Sequence, residues 1–258
     1  LAVIRRRGEM RWADRVRSAL ERDDGFCLHY QSIFVLGADA IAEHHELLLR
    51  MNDASGQPVV PGAFLPAAER AGLMADIDRW VVDAGSAAME PLLTSTARGH
   101  RFSINLSSSA LTDPLLLEYI ADALARHRVD PRAVYFEIRE TAASQNLGAA
   151  LNLLRGLRKL GCGIALDEFG SGVASFSYLK NLPVDLIKID GSIVMELLGN
   201  PVEEAIVRAI NDVAHRLEIS TVAGAVEHAA LLGLLGEIGV DFAQGFALAK
   251  PRPLSEFS

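Results

Sequence analysis

Acidic and amide side chains stand at the ends of a succession of short apolar runs typical of β-strands. These residues are Glu46, Asn105, Glu137, Asp167, Asp190, Glu227 and Gln244. The carboxyl ends of parallel strands in a barrel meet on one face, so we expect these side chains to share a pocket. Packed carboxylates repel one another unless a cation lies among them, and Mg²⁺ and Mn²⁺ prefer oxygen ligands. The pattern therefore predicts an acidic site suited to one of these cations.

A lysine belongs to the same set of strand ends. Lys188 alternates with Ile187 and Ile189 in the run DLIKID, and this alternation points its side chain into the barrel at the level of the acids. The lysine could take part in the chemistry of the site, or it could form a structural salt bridge inside the barrel. The sequence leaves both alternatives open.

The elements that must position these residues alternate along the chain. Strands are predicted at 26–36, 42–51, 101–106, 133–138, 163–167, 185–190, 219–224 and 241–246, and helices near 63–72, 76–90, 113–127, 146–160, 201–217 and 229–237, with a shorter piece near 175–181. Eight strands alternating with helices favour a barrel over an open sheet. A short turn alone separates the first two strands, which indicates a hairpin. We predict an α/β fold, a modified TIM-type (β/α)₈ barrel with one antiparallel strand.

The composition limits the kinds of partner that the chain can bind. The net charge of −8 argues against binding to a nucleic-acid polymer, but it leaves room for a small anionic ligand held by local cations. No apolar run approaches the roughly 20 residues of a membrane span, and the N-terminus lacks a signal-peptide pattern. Cys27 and Cys162 are expected to be reduced thiols, so we predict a cytoplasmic location.

The first 24 residues differ in character from the rest. They are highly charged, with Met10, Ala13, Val16 and Leu20 at helical spacing. We predict that residues 1–24 form a connector helix from an upstream domain of a longer protein, and that 25–258 form the main domain. The alternative is an ordinary first helix of that same domain.

Seven segments, in the same order along the chain, together resemble the EAL domain, the bacterial phosphodiesterase family for the second messenger cyclic di-GMP. HYQSI is similar to the family's YQPI, and ELLLR stands where the family has Glu-Ala-Leu followed by Leu-Arg. The other five are SINLSS for SVNLS, FEIRET for LEITES, ALDEFGSG for ALDDFGTG, PVDLIKID for PVDELKID, and QGFALAKP for QGYLFSKP. The resemblance implies a modified (β/α)₈ barrel with an antiparallel strand, the same fold that the strand count predicts.

The resemblance also implies roles for individual residues. In active members of the family, two divalent metals are held by residues that match Glu46, Asn105, Glu137 and Asp167. A water then attacks one phosphodiester to give the linear dinucleotide pGpG, with Lys188 near that water and Glu140 supporting the loop after Asp167.

Ligand-binding positions are carried over in the same way: Gln31, Leu48, Arg50, Asp78, Glu227, Gln244 and Gly245. Arg50 matches the arginine that meets a phosphate, which a guanidinium can bind through two parallel hydrogen bonds. For Asp78 the alternative is an exposed helix residue.

Two departures from the family pattern affect its chemistry. In TVAGAVEH (221–228), Gly224 replaces the first Glu of AEGVE, the residue that resembles the general base and a metal ligand. Glu168 replaces the second Asp of DDFG and is one methylene longer. A lost base costs roughly 10²–10⁴-fold, and a shift of about 1 Å can cost on the order of a hundredfold. Glu168 or Glu227 could replace the missing carboxylate only if its side chain reached the same place in the site.

Three further substitutions weaken the catalytic pattern. Ser32 stands in place of a proline, and Val173 and Ala174 replace Tyr-Ser in the loop after Asp167. Because that loop couples metal binding to dimerisation in active relatives, a catalytic homodimer is put in doubt, although association of other kinds is not.

From these departures we predict that the chain is not an enzyme. It would be a degenerate EAL domain that binds cyclic di-GMP as a receptor and signals to a protein effector, with no required cofactor, although Mg²⁺ or Mn²⁺ would fit a residual site. It resembles receptors at the C-terminus of GGDEF–EAL proteins, including regulators of surface motility and biofilm formation. The alternatives are a slow metal-dependent phosphodiesterase that uses Glu168 as a substitute ligand, and a nucleotide-independent interaction scaffold.

Overall fold

The strands alternate with helices as predicted, in a computed structural model that describes residues 2–37, 42–95, 99–170 and 176–257. Within these ranges the strands are β1 (Phe26–Val35), β2 (Ala42–Asn52), β3 (Pro58–Val59), β4 (Arg101–Asn105), β5 (Val134–Arg139), β6 (Gly163–Phe169), β7 (Leu186–Ile189), β8 (Ser220–Ala223), β9 (Phe242–Ala243) and β10 (Arg252–Pro253). The helices are α1 (Ala2–Leu20), α2 (Pro61–Arg70), α3 (Met74–Ser95), α4 (Leu116–Arg126), α5 (Glu140–Gln145), α6 (Leu147–Leu160), α7 (Phe176–Leu179), α8 (Gly191–Met195), α9 (Pro201–Arg216) and α10 (Ala229–Ile238).

Eight of the strands close into a barrel. Around the ring, β2, β4, β5, β6, β7, β8 and β9 pair in parallel with their neighbours. β1 closes the ring by pairing antiparallel with both β2 and β9. β3 and β10 are two-residue additions to the edges of β2 and β1. The predicted fold class, a modified barrel with one antiparallel strand, is confirmed.

Two short helices were not predicted from the sequence. α5 begins directly after β5, and α8 begins one residue after β7; they have six and five residues, which is too few to show a helical period. α1 confirms the helix predicted near the N-terminus, while its role as a connector stays a prediction. No helix within the described residues combines the length and apolar character that a membrane crossing needs. Both cysteines are free.

Two apolar layers determine where the polar residues at the strand ends lie in the barrel. The larger one lies between the barrel and its helices. The smaller one fills the barrel, with Ile33, Ala165, Leu186 and Val222 packed together and flanked by Tyr135 and Phe242. Side chains two residues apart on a strand face the same side. The next inward side chains on these strands therefore form a layer directly above this apolar plug, and that layer contains most of the predicted polar residues.

Two adjacent leucines at the start of α4 test the packing of the larger layer. Leu116 is fully buried, whereas Leu115 is 61% exposed. We predict that Leu116→Ala lowers the free energy of unfolding by about 2–5 kcal/mol, since it leaves a cavity. Leu115→Ala, the matched control, should change it by no more than about 0.5 kcal/mol. Urea unfolding of both variants measures these changes, and equal decreases in the free energy of unfolding would contradict the burial of Leu116.

Asp78 on α3 anchors the segment that follows β4. Its carboxylate accepts hydrogen bonds from the Ser107 backbone N–H (3.1 Å) and from the Ser107 hydroxyl (2.5 Å). The residue is 3% exposed, so the alternative of an exposed helix residue is wrong. Burial raises the pKa of Asp78 to about 6, against the opposing effect of the hydrogen bonds from Ser107. Its predicted contact with a ligand stays a prediction.

The buried Asp78 carboxyl should make stability depend on pH. An unfolded aspartate titrates near pH 4, so the folded state binds this proton more tightly than the unfolded state. The resulting stabilisation is complete below about pH 4 and is lost as the pH rises through about 6. Urea unfolding at a series of pH values should show the wild-type free energy of unfolding falling by about 3 kcal/mol relative to that of Asp78→Asn.

Asp122→Asn, which replaces an exposed carboxylate on α4, is the control for this comparison. If the difference in free energy of unfolding between the wild type and Asp78→Asn stays constant between about pH 4 and pH 7, Asp78 does not titrate in this window.

Candidate active site

A buried lysine lies at the centre of the polar layer. The Lys188 ammonium on β7 is 2.7 Å from Glu46 Oε2 on β2 and 2.7 Å from Glu137 Oε2 on β5. Asp167 Oδ1 on β6 is 3.8 Å away. Four strands thus direct charged side chains to one point. The predicted salt bridge inside the barrel is confirmed, and a chemical role for Lys188 stays a prediction.

Amide side chains complete the hydrogen bonds of Glu46. Asn105 Nδ2 donates to Glu46 Oε1 at 2.7 Å, and Gln244 Nε2 donates to Glu46 Oε2 at 2.8 Å. Gln244 Nε2 also lies 3.3 Å from Gln31 Oε1, and Gln31 Nε2 donates to the Ala249 carbonyl at 2.9 Å. Both oxygens of Glu46 are therefore held, which fixes its side chain at the bottom of the site.

The three buried charges differ in their proton affinities. Burial alone would raise the pKa of Glu46, but the Lys188 ammonium and the hydrogen bonds to Glu46 lower it below its ordinary value. Burial raises the pKa of Glu137 against the opposing effect of Lys188. Burial alone would lower the pKa of Lys188, but Glu137, Glu46 and Asp167 together raise it. Lys188 and Glu46 are thus held in their charged forms.

Glu137 retains an unused oxygen. Its Oε2 binds Lys188, while its Oε1 is buried without a hydrogen-bond partner among the described residues. A buried carboxylate oxygen without a partner costs free energy, and a proton or a cation beside it would lower that cost. Glu137 shares Lys188 with Glu46 and Asp167, which are two of the other predicted metal ligands.

Above the cluster lies a cavity of about 350 Å³. It is lined by Gln31, Glu46, Asp167, Glu168, Lys188, Ile189, Asp190, Gly191, Gly224, Ala225, Glu227, Gln244, Gly245 and Phe246. Ten of these were singled out in the sequence: Gln31, Glu46, Asp167, Glu168, Lys188, Asp190, Gly224, Glu227, Gln244 and Gly245. The described residues that line it do not include Leu48, Arg50, Asp78, Asn105, Glu137 or Glu140. Arg50 is buried on β2, where its Nη1 donates to the Leu49 carbonyl at 2.8 Å.

Glu140 begins α5 beside the strand end that carries Glu137. It is buried, and the Tyr178 hydroxyl on α7 donates to its Oε1 at 2.5 Å. Glu140 is thereby tied to the segment that follows the loop after Asp167, and its role in supporting that loop stays a prediction. Val173 and Ala174, the substitutions noted in that loop, lie outside the described residues.

The two departures from the family pattern face the same cavity. Gly224 forms part of its wall, and a Cβ atom added there would lie 3.3 Å from the Ile189 carbonyl oxygen. Glu168 has a φ of 54° and Ala225 a φ of 51°, both in the left-handed region. Non-glycine residues in this region carry strain of about 1 kcal/mol or more and cluster at functional sites.

Two residues in or beside the cavity wall were missed in the sequence. Arg139 ends β5 and is not among the residues that line the cavity, but its Nε lies 3.3 Å from Oε1 of Glu168, which does line it. The signal was present, since FEIRET has an arginine where LEITES has threonine. Phe246 is an exposed aromatic residue on the cavity wall. Its position directly after the polar pair Gln244–Gly245 could have identified it.

Comparison with known proteins places this geometry in a family. The EAL domain model matches residues 13–251. Cyclic di-GMP phosphodiesterase PdeB of Shewanella oneidensis is 40% identical over 97% of this chain and 29% of its own length. Cyclic di-GMP phosphodiesterase PdeF of Escherichia coli K12 is 34% identical over 93% of this chain and 32% of its own length. The chain spans about a third of the length of these curated relatives.

Solved structures share the barrel. The PaMucR phosphodiesterase in complex with c-di-GMP is 34% identical with a TM-score of 0.89, covering 95% of this chain and 99% of that one. The FimX EAL domain from Pseudomonas aeruginosa bound to c-di-GMP is also 34% identical, with a TM-score of 0.83, covering 93% of this chain and 96% of that one. Both are EAL-type barrels in complex with the same nucleotide.

These findings overturn one prediction and leave others untested. The prediction that the chain is not an enzyme is wrong, because relatives that match nearly its whole length are named cyclic di-GMP phosphodiesterases. That prediction gave the missing carboxylate at Gly224 decisive weight, whereas Glu168 and Glu227 line the same cavity. A protein effector, a homodimer, the GGDEF connection and the cytoplasmic location stay predictions. With the family model matched over residues 13–251 and the barrel shared with solved EAL structures, the chain belongs to the EAL domain family.

Proposed function

We propose that this domain binds cyclic di-GMP and hydrolyses one of its phosphodiesters to give pGpG, with the help of a divalent cation. The observation that carries this proposal is the convergence of Glu46, Asn105, Glu137 and Asp167 around Lys188 beneath an open cavity. The names of the relatives support the reaction class, and the titles of the solved structures support the nucleotide.

The residues present have the chemistry to hold one cation. Carboxylate and amide oxygens are the ligands that Mg²⁺ and Mn²⁺ prefer, and the buried Glu137 Oε1 has no partner among the described residues. Among the described residues, no group of three His, Cys, Asp or Glu side chains is arranged to hold a metal ion. Lys188 lies between Glu46 and Glu137 in this arrangement. Glu46, Asn105, Glu137 and Asp167 would hold the cation once their side chains turn toward it.

A divalent cation in this position would polarise a phosphate oxygen and make a nearby water more acidic. The chain itself would supply the remaining steps. Lys188, which is held in its charged form, stabilises negative charge that develops on the phosphate. Burial raises the pKa of Glu168, which suits a carboxylate that accepts the proton of the attacking water. The water oxygen bonds to phosphorus, one P–O bond breaks, and the leaving ribose oxygen takes up a proton.

The rim of the cavity has groups suited to the guanine bases. Glu227 is exposed there and can accept hydrogen bonds from the N1 and N2 donors of a guanine. The exposed ring of Phe246 offers a surface for a base to stack on. Gln31 and Gln244 lie on the opposite side of the cavity floor from Glu168, next to Glu46. These groups would orient the nucleotide over the buried cluster.

Removing the carboxylate at the centre of the cluster tests the proposal. The wild-type chain with Mn²⁺ should convert cyclic di-GMP to pGpG, and excess EDTA should stop the conversion. Glu46→Gln keeps the shape of the side chain but removes its charge, so kcat/KM should fall by at least about a hundredfold. Product formation is followed by separation of pGpG from cyclic di-GMP on a reversed-phase column.

Glu118→Gln, an exposed change on α4, is the matched control and should keep wild-type activity. Calorimetric titration with cyclic di-GMP accompanies each assay. Binding by the wild-type chain without any pGpG in Mg²⁺ or Mn²⁺ would refute the hydrolase proposal, and so would equal activity in Glu46→Gln.

A further inference from the structure

We propose that Arg139 takes the place of a second divalent cation, so that the site binds one cation and uses the guanidinium as its other positive charge toward the phosphate. This inference rests on the proposed function and deepens it. The resemblance to the family implied two metals. The residues deep in this barrel fit one of them, and the residues at its mouth do not fit the other.

The fit for one cation lies deep in the site. Glu137 is 1% exposed, and its Oε1 lacks a partner among the described residues, within the same cluster as Glu46 and Asp167. Asn105 already reaches Glu46 at 2.7 Å, so its amide belongs to the same cluster. These four side chains can supply the oxygens for one ion.

The second position lacks its ligands. Gly224 has no side chain, although it lies in the cavity wall where a carboxylate would face inward. Glu168 is the other candidate ligand, and the Arg139 guanidinium already lies 3.3 Å from its Oε1. A dication at this place would lose one carboxylate and would be repelled by a guanidinium at close range.

The position of Arg139 follows from the pairing of the strands. It is two residues beyond Glu137 on β5, so it faces the same side one layer closer to the mouth. Its strand partner is Asp167 on β6, the residue next to Glu168. The Arg139 side chain is 63% exposed and that of Glu168 is 43% exposed, so the pair is open to an incoming ligand. A guanidinium can exchange one carboxylate for two oxygens of a phosphate.

Counting bound Mn²⁺ tests the first half of this proposal without any turnover. The intact chain is dialysed against Mn²⁺ and analysed by elemental analysis and electron paramagnetic resonance. We expect one Mn²⁺ per chain with the spectrum of an isolated ion. Two spin-coupled ions, or none, would overturn the proposal.

A combined variant supplies the positive control for that count. Arg139→Thr, Glu168→Asp and Gly224→Glu together restore the family's residues at the three positions. A Cβ atom at 224 would lie 3.3 Å from the Ile189 carbonyl oxygen, a tight contact that requires a shift of a few tenths of an ångström, while Gly224 has no left-handed φ that would exclude a side chain. This variant should bind a second Mn²⁺ and show spin coupling. A count that stays at one would refute the assignment of these positions.

Arg139→Thr alone tests the contact with phosphate. In calorimetry with Mn²⁺ and a phosphorothioate analogue of cyclic di-GMP, which is cleaved slowly, this variant should bind about tenfold more weakly than the wild type. Arg126→Thr is the matched control, because Arg126 forms an ion pair with Asp83 of similar exposure, 53% and 38%, on the outside of the barrel. It should bind as the wild type does.

An affinity of Arg139→Thr within twofold of the wild type would overturn the phosphate role. A wild-type chain that binds no analogue would refute this role and the proposed function together, whereas the Mn²⁺ count is made without nucleotide. A chain that binds one Mn²⁺ and the analogue but forms no pGpG would refute the proposed hydrolysis alone.

Discussion

The structure depends on one buried ammonium ion. Glu46 and Glu137 both approach Lys188 to 2.7 Å inside a closed barrel, where two carboxylates without a cation would repel each other strongly. Lys188 is itself too costly to bury alone, so the ammonium group requires the carboxyl groups of Glu46 and Glu137 beside it. The arrangement fixes the heights of β2, β5 and β7 relative to one another. It also holds the acids within reach of a common point before any ligand arrives.

The apolar plug beneath this cluster determines what lies above it. Leu186 and Ala165 fill the barrel, and strand alternation places Lys188 and Asp167 two residues further on, toward the carboxyl ends. The same offset leads from Val222 to Gly224, so the missing side chain opens space in the layer where charges gather. Strain concentrates here too, because Glu168 and Ala225 adopt left-handed backbone conformations that favour glycine. The stability of the plug and the surrounding helices supports this strained rim.

Much of the fold and of the floor of the site could be predicted from the sequence, because both follow from periodicity. Alternation placed Lys188 inside the barrel, and the polar strand ends identified Glu46 and Glu137. The rest depends on side-chain reach and on contacts between distant segments. The burial of Asp78 under Ser107 follows from the packing of α3 against β4, which no local pattern encodes. The pairing of Arg139 with Glu168 depends on the register of β5 against β6 and on the backbone conformation at Glu168.

Substitutions at a site have to be interpreted together with their neighbours in space. Gly224 considered alone removes a base, and Glu168 considered alone displaces a ligand, which led to the incorrect prediction of an inactive domain. In the folded chain, the longer Glu168 side chain meets Arg139, which stands where the family pattern has threonine. One lost carboxylate and one gained guanidinium both make the mouth less negative, which weakens it as a site for a second dication and improves it as a site for phosphate. Charge is thus redistributed at the mouth of the barrel, while Glu46, Glu137 and Asp167 still surround Lys188 beneath it.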